Sequence, residues 1–115
     1  MNSREKGARG ERELANYLKD RGFMARRGQQ FSGANGDADV EGLDGIHIEC
    51  KRVEKLNIDK AMEQSIRDAY AESIKRGKKT TPTVWHRANG RKWKVTMLAE
   101  DFLNLYRKAG SNGEE

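Results

Sequence analysis

The sequence predicts a single α/β domain, a mixed five-stranded sheet flanked by helices in the order α-β-β-β-α-β-β-α. Three observations predict it. Three segments carry apolar residues at helical spacing, the stretches between them alternate with period two, and glycine-bearing turns separate the segments. A length of 115 residues suits one domain over 1–115, with residues 1–6 and 110–115 expected to be flexible.

The first helix is predicted from Ala8 to Arg21, where Gly22 closes it. "FMARR" reads as a short strand, followed by the glycine-rich loop "RGQQFSGANG". Residues 37–42 and 45–52 read as a hairpin around "LDG". A second helix starts at Asn57 or Asp59 and runs to Arg76 before Gly77, with Met62, Ile66, Ala69, Tyr70 and Ile74 as its apolar positions. "TPTVWHRA" and "RKWKVTML" make a second hairpin around Asn89-Gly90, a strong short-range turn signal. The last helix, Ala99 to Lys108, is expected to turn Phe102, Leu103, Leu105 and Tyr106 inward.

Apolar residues make up 35% of the chain and charged ones 36%, so the core is thin and the surface strongly charged. No run of 18 apolar residues offers a membrane span. The opening "MNSREKGARGERE" lacks a secretory apolar segment, and a lone Cys50 fits a reducing compartment. The expectation is a cytoplasmic protein, in a host's cytoplasm if the source is viral. The net charge of +5 serves solubility by itself, but its cations cluster at element ends, where nucleic-acid phosphates would be met.

Two places carry acidic groups where apolar ones are expected. On the first helix Glu11, Leu14, Ala15 and Leu18 form one stripe, which puts Glu11 on the apolar face and Glu13 on the far, solvated side. A carboxylate there needs a partner or a metal. Alternatively, Glu11 lies in a first helical turn and simply meets the positive end of the dipole. In "IHIECKR", Ile46, Ile48 and Cys50 share one strand face, and His47, Glu49 and Lys51 the other. Cys50 reads as a small buried apolar residue rather than a nucleophile.

Register decides whether Asp39 meets Glu49. A two-residue turn at Asp44-Gly45 would separate the carboxylates. A three-residue loop, Leu43-Asp44-Gly45, pairs Asp39 with Glu49 and needs a left-handed residue at its end, which Gly45 supplies. The second register is the one expected here. Opposed carboxylates repel unless a cation lies between them, and hard oxygen ligands describe Mg²⁺, with Mn²⁺ as a substitute. The Cys50 carbonyl would add an oxygen, and Lys51 would hold the attacking water and stabilise charge on the phosphate. His47 and His86 lack ligand spacing and read as an edge-of-site residue and a strand-surface residue.

A helical Glu11, a strand Asp39 and then Glu49-x-Lys51 resemble the PD-(D/E)XK nucleases. "KGARGERELANYLKDRGFMARR", then "SG", "DADV" and "IECK", is similar to the archaeal-type Holliday junction resolvases, also found in bacterial viruses. The resemblance implies a restriction-endonuclease-like fold and a symmetric homodimer that makes paired, metal-dependent nicks in four-way junctions. It implies catalytic roles for Glu11, Asp39, Glu49 and Lys51, with metal held by Glu11, Asp39, Glu49 and the Cys50 carbonyl. Arg12 and Arg27 would contact DNA phosphates, and Ser32 would lie near the scissile strand. Arg9, Arg26 and Arg52 complete the expected DNA-binding set. Trp85, Trp93 and Met97 serve either a dimer patch or ordinary core. The alternatives are another nuclease of the superfamily, acting on duplex, flap or single-stranded DNA, and a non-catalytic DNA-binding protein.

Overall fold

A computed structural model describes residues 3–28 and 38–113. The elements follow the expected order: α1 Ser3–Lys19, β1 Arg26–Arg27, β2 Val40–Glu41, β3 Ile46–Arg52, α2 Ile58–Arg76, β4 Thr81–Arg87, β5 Lys94–Met97 and α3 Ala99–Gly113. The sheet runs β1-β2-β3-β4-β5. Only β3 and β4 are parallel, joined by the α2 crossover, and every other pair is antiparallel.

Each face of the sheet takes one helix. Leu14, Ala15 and Leu18 of α1 bury against Val40 and Ile48, with Ile46 and Cys50 packed alongside. Ala61 and Met62 of α2 bury against Val84 on the opposite face. The β2–β3 register is Val40↔Ile48. That is the register of the three-residue loop, and Gly45 takes φ 80°, where a side chain would be strained. Trp85 and Trp93 pack against the α1 cluster, and Trp93 tilts on Tyr17 with ring centroids 6.3 Å apart. Both are partly buried there, at the margin of the core.

Four expectations change. First, α1 begins at Ser3 and not Ala8, which takes Glu11 out of the first turn. Second, α2 is rotated from its apolar stripe. It buries Ala61, Met62, Ser65, Ala69 and Glu72 and leaves Ile66, Tyr70 and Ile74 exposed. Polar residues are accepted inside because they find partners there: Ser65 Oγ donates to the Thr83 carbonyl at 2.9 Å, and Glu72 meets His47. Third, α3 stays helical to Gly113, and Phe102, Leu103, Leu105 and Tyr106 are 39–69% exposed, because α3 packs only weakly on the rest of the chain. Fourth, the second hairpin closes wider than Asn89-Gly90, with β4 ending at Arg87 and β5 starting at Lys94. Its loop is held from outside. Arg52 Nη2 donates to Asn89 Oδ1 at 2.9 Å, and the Asn89 N–H donates to Glu54 at 2.8 Å.

Gly10 sets the approach of α1 to β3. A Cβ at that position would lie 2.7 Å from the Cβ of Arg52, whereas one at Gly7 would meet nothing within 4 Å. Gly10→Val is expected to destabilise the fold by about 1–3 kcal/mol, as overpacking does. Gly7→Val, on the same helix, should leave the urea midpoint nearly unchanged. Equal effects of the two substitutions would contradict the close approach.

Candidate active site

The site is built on β3 and the residue that leads into β2, beside the middle of α1. Because Val40 faces Ile48, Asp39 and Glu49 come together one residue along, on the face turned to α2. Asp39 is 9% exposed and Glu49 2%. The Cys50 N–H donates to Asp39 Oδ2 at 2.8 Å, which fixes the carboxylate across the strand pair. Lys51 Nζ lies 3.8 Å from Glu49 Oε2 and donates to Gln64 Oε1 of α2 at 3.2 Å. Glu49 Oε1 is buried without a hydrogen-bond partner among the described residues.

Burial, and then the charge of Glu49, lift the Asp39 carboxyl to about 7, with a smaller push from Glu11. Glu11 therefore acts on this pair from α1, and Arg27 Nε holds it at 3.1 Å. Its side chain is only 16% exposed, so the apolar-stripe reading holds over the solvated one. Burial, and then Asp39 and Glu11, push the Cys50 thiol far above its ordinary range, which leaves it no thiolate to act as a nucleophile.

The expected DNA-contacting cations divide. Arg9, Arg12 and Arg52 line one groove with Lys6 and Asn16. Arg27 is joined to Glu11, and Arg26 Nε pairs with Glu41 at 2.9 Å on the far strand edge. Arg52 is also bound within the chain, to Glu13 at 3.1 Å, and Arg87 meets the same carboxylate at 2.7 Å. Glu13 is thus the centre of a bridge from α1 to β3 and β4, not a solvated helix charge. Ser32 falls outside the described residues.

His47 was the least legible residue. It is fully buried rather than at the edge of the site, with Nδ1 2.6 Å from Glu72 Oε1 and Nε2 3.6 Å from Glu49 Oε1. The second distance is a charge contact, too long for a hydrogen bond. Burial opposes charge on the ring, but Glu49 and Glu72 outweigh it and raise its pKa. Glu72 in turn pairs with Arg76 at 2.9 Å. The available signal was the spacing of Ala61, Ser65, Asp68 and Glu72, one stripe of α2 that faces the His47 side of β3. His86 bonds Thr96 at 2.9 Å on the strand surface, as expected.

The structure brings a buried Asp, a Glu-x-Lys strand and a helical Glu into one neighbourhood, and comparison with known proteins decides the family. The model of the archaeal Holliday junction resolvase (Hjc) family matches residues 2–110. The chain belongs to that family. It is a junction-resolving nuclease by membership, and its fold agrees. The structure of Hjc from Archaeoglobus fulgidus, a Holliday junction resolvase from an archaeal hyperthermophile, superposes with a TM-score of 0.57 at 21% identity. The match covers 77% of this chain and 73% of that one. Comparison with curated protein sequences finds no match. Among the described residues, no helix of this resolvase is long and apolar enough to cross a membrane.

The raised Asp39 carboxyl has a sign that stability measurements can read. The folded state holds its proton up to about 7, whereas the unfolded chain releases it near 3.8. The folded state therefore binds more protons between those values, and stability falls as pH rises through that window. In EDTA, urea unfolding should show a loss of roughly 1–3 kcal/mol between pH 4.5 and 7.5 that is largely absent in Asp39→Asn. A loss of the same size in both proteins would contradict the pairing.

Proposed function

We propose that this resolvase is a metal-dependent homodimer that makes paired, symmetric nicks in four-way junctions, with Glu11, Asp39, Glu49 and Lys51 as its catalytic set. The observation that carries the reading is the buried Asp39–Glu49 pair, with an unpartnered Glu49 oxygen and a lysine beside it. Such a pair fits a hard divalent cation, which would offset the repulsion between two buried carboxylates. Mg²⁺ is the cation we assign, with Mn²⁺ able to replace it, and Glu11, Asp39, Glu49 and the Cys50 carbonyl would hold it. When bound, it would polarise the scissile phosphate and make a water nucleophilic at neutral pH.

The chain's own groups supply the rest. Lys51, held toward the site by Gln64, orients the attacking water and stabilises charge on the phosphate. Arg27 fixes the direction of Glu11. Arg9 and Arg12, in the groove beside α1, position the DNA backbone without reading bases, as recognition of a branched shape requires. Arg26 and Arg52 would add backbone charge from β1 and β3, and Ser32 completes the proposed DNA-contacting set. The exposed apolar side chains of α2 and α3, among them Tyr70, Ile74, Phe102 and Tyr106, give the dimer its surface. Action on branched DNA supports a cytoplasmic location, the host's cytoplasm if the source is viral.

Cleavage of a labelled four-way junction and a matching linear duplex tests the proposal, in Mg²⁺ and in EDTA. Wild type should cut the junction at symmetric positions in Mg²⁺ only, and Glu49→Gln should lose at least about a hundredfold in rate. Equal cutting of the duplex would contradict junction selectivity, and cutting in EDTA would contradict the metal.

A further inference from the structure

Beyond the catalytic set, β3 and α2 enclose a second group of ligand atoms. Those of His47, Glu49 and Asp68 all lie within 4.8 Å of one another. Two of the atoms, His47 Nε2 and Glu49 Oε1, are buried and have no hydrogen-bond partner among the described residues. They face each other at 3.6 Å, and the residues that carry them are 0% and 2% exposed. Buried polar atoms are nearly always satisfied, so two adjacent orphans call for a partner.

The rest of the cluster fits a metal. Glu72 pairs with Arg76 at 2.9 Å through one carboxylate oxygen and meets His47 through the other. With Nδ1 held 2.6 Å from Glu72 Oε1, Nε2 is the ring nitrogen left to face Glu49, at 3.6 Å. A carboxylate that holds one imidazole nitrogen while the other is offered to a cation is the usual outer support of a metal-bound histidine. Asp68 lies one helical turn before Glu72, which brings it to the open side of the same group.

We propose that His47, Glu49 and Asp68 form a second divalent-cation site on the α2 side of Glu49, selective for a transition metal such as Mn²⁺ over Mg²⁺. An imidazole and two carboxylates suit a first-row transition dication, whereas Mg²⁺ prefers oxygen ligands throughout. The two sites would meet at Glu49, whose Oε1 faces His47 and whose Oε2 faces Lys51. The inference leans on the catalytic reading only in sharing that residue.

Electron spin-echo spectroscopy of Mn²⁺ bound to the full-length, untagged protein, with Mg²⁺ in excess, tests it. The wild type should show the nitrogen-14 modulation of a directly bound imidazole, replaced by the nitrogen-15 pattern when histidine is isotopically labelled. Labelling changes no side chain, so folding is not at issue. Asp68→Asn, a partly exposed position, should weaken binding of the Mn²⁺ that carries this signal by about tenfold. That loss also separates His47 from His86, the only other histidine. Saturation with Mn²⁺ without nitrogen coupling would overturn the site, as would a coupling that Asp68→Asn leaves at full affinity. Asp39→Asn should abolish cleavage and keep the nitrogen signal. A signal with normal cleavage in that variant would overturn the catalytic reading and leave the second site standing.

Discussion

Two carboxylates buried against each other on neighbouring strands are the constraint around which this chain is arranged. Asp39 and Glu49 are nearly inaccessible, and burial together with the charge of Glu49 makes ionisation of Asp39 costly. A small domain with a thin apolar core tolerates that only if the strands beneath cannot slip or relax. The surrounding elements supply the rigidity. Val40 and Ile48 are fully buried under Leu14 and Leu18, which locks the register. The Cys50 N–H ties Asp39 across the strands, and Gly10 lets α1 come close enough for Glu11 to join the pair.

Charge networks extend the same logic outward from both sides of β3. On one side Glu13 bridges Arg52 and Arg87, linking α1 to the two parallel strands. On the other, His47, Glu72 and Arg76 run from the strand through α2, and Arg76 also approaches Glu41 at 3.6 Å. Partly exposed members such as Arg76 add little stability by themselves. Their effect is directional, because each fixes the rotamer of a group nearer the site. The apolar side chains left outside on α2 and α3 are the surface that the proposed dimer would cover.

Local chemistry made the site legible. The loop Leu43-Asp44-Gly45 needs a left-handed residue, Gly45 provides it, and the strand register follows with Asp39 beside Glu49. The stripe of Glu11, Leu14 and Leu18 likewise carried its meaning in helical periodicity alone. What stayed hidden depended on partners distant in sequence. Nothing near His47 reveals that Glu72 will cap it, and a helix that buries Ser65 and Glu72 instead of Ile66 and Tyr70 defeats an apolar-stripe reading. The tertiary hold of Arg52 on Asn89 widened a turn that its Asn-Gly pair alone would make tight. The exposure of α3 has the same origin, since an amphipathic helix does not say whether its apolar face meets its own chain or another.

The account stands on the claim that the Asp39–Glu49 pair is destabilising by itself and is relieved by a divalent cation. Thermal unfolding at pH 8, in EDTA and in millimolar Mg²⁺, measures that most directly. Wild type should melt several degrees higher in Mg²⁺, while Asp39→Asn should melt higher than wild type in EDTA and gain nothing from the metal. A wild-type midpoint indifferent to Mg²⁺, with Asp39→Asn no more stable in EDTA, would contradict the claim.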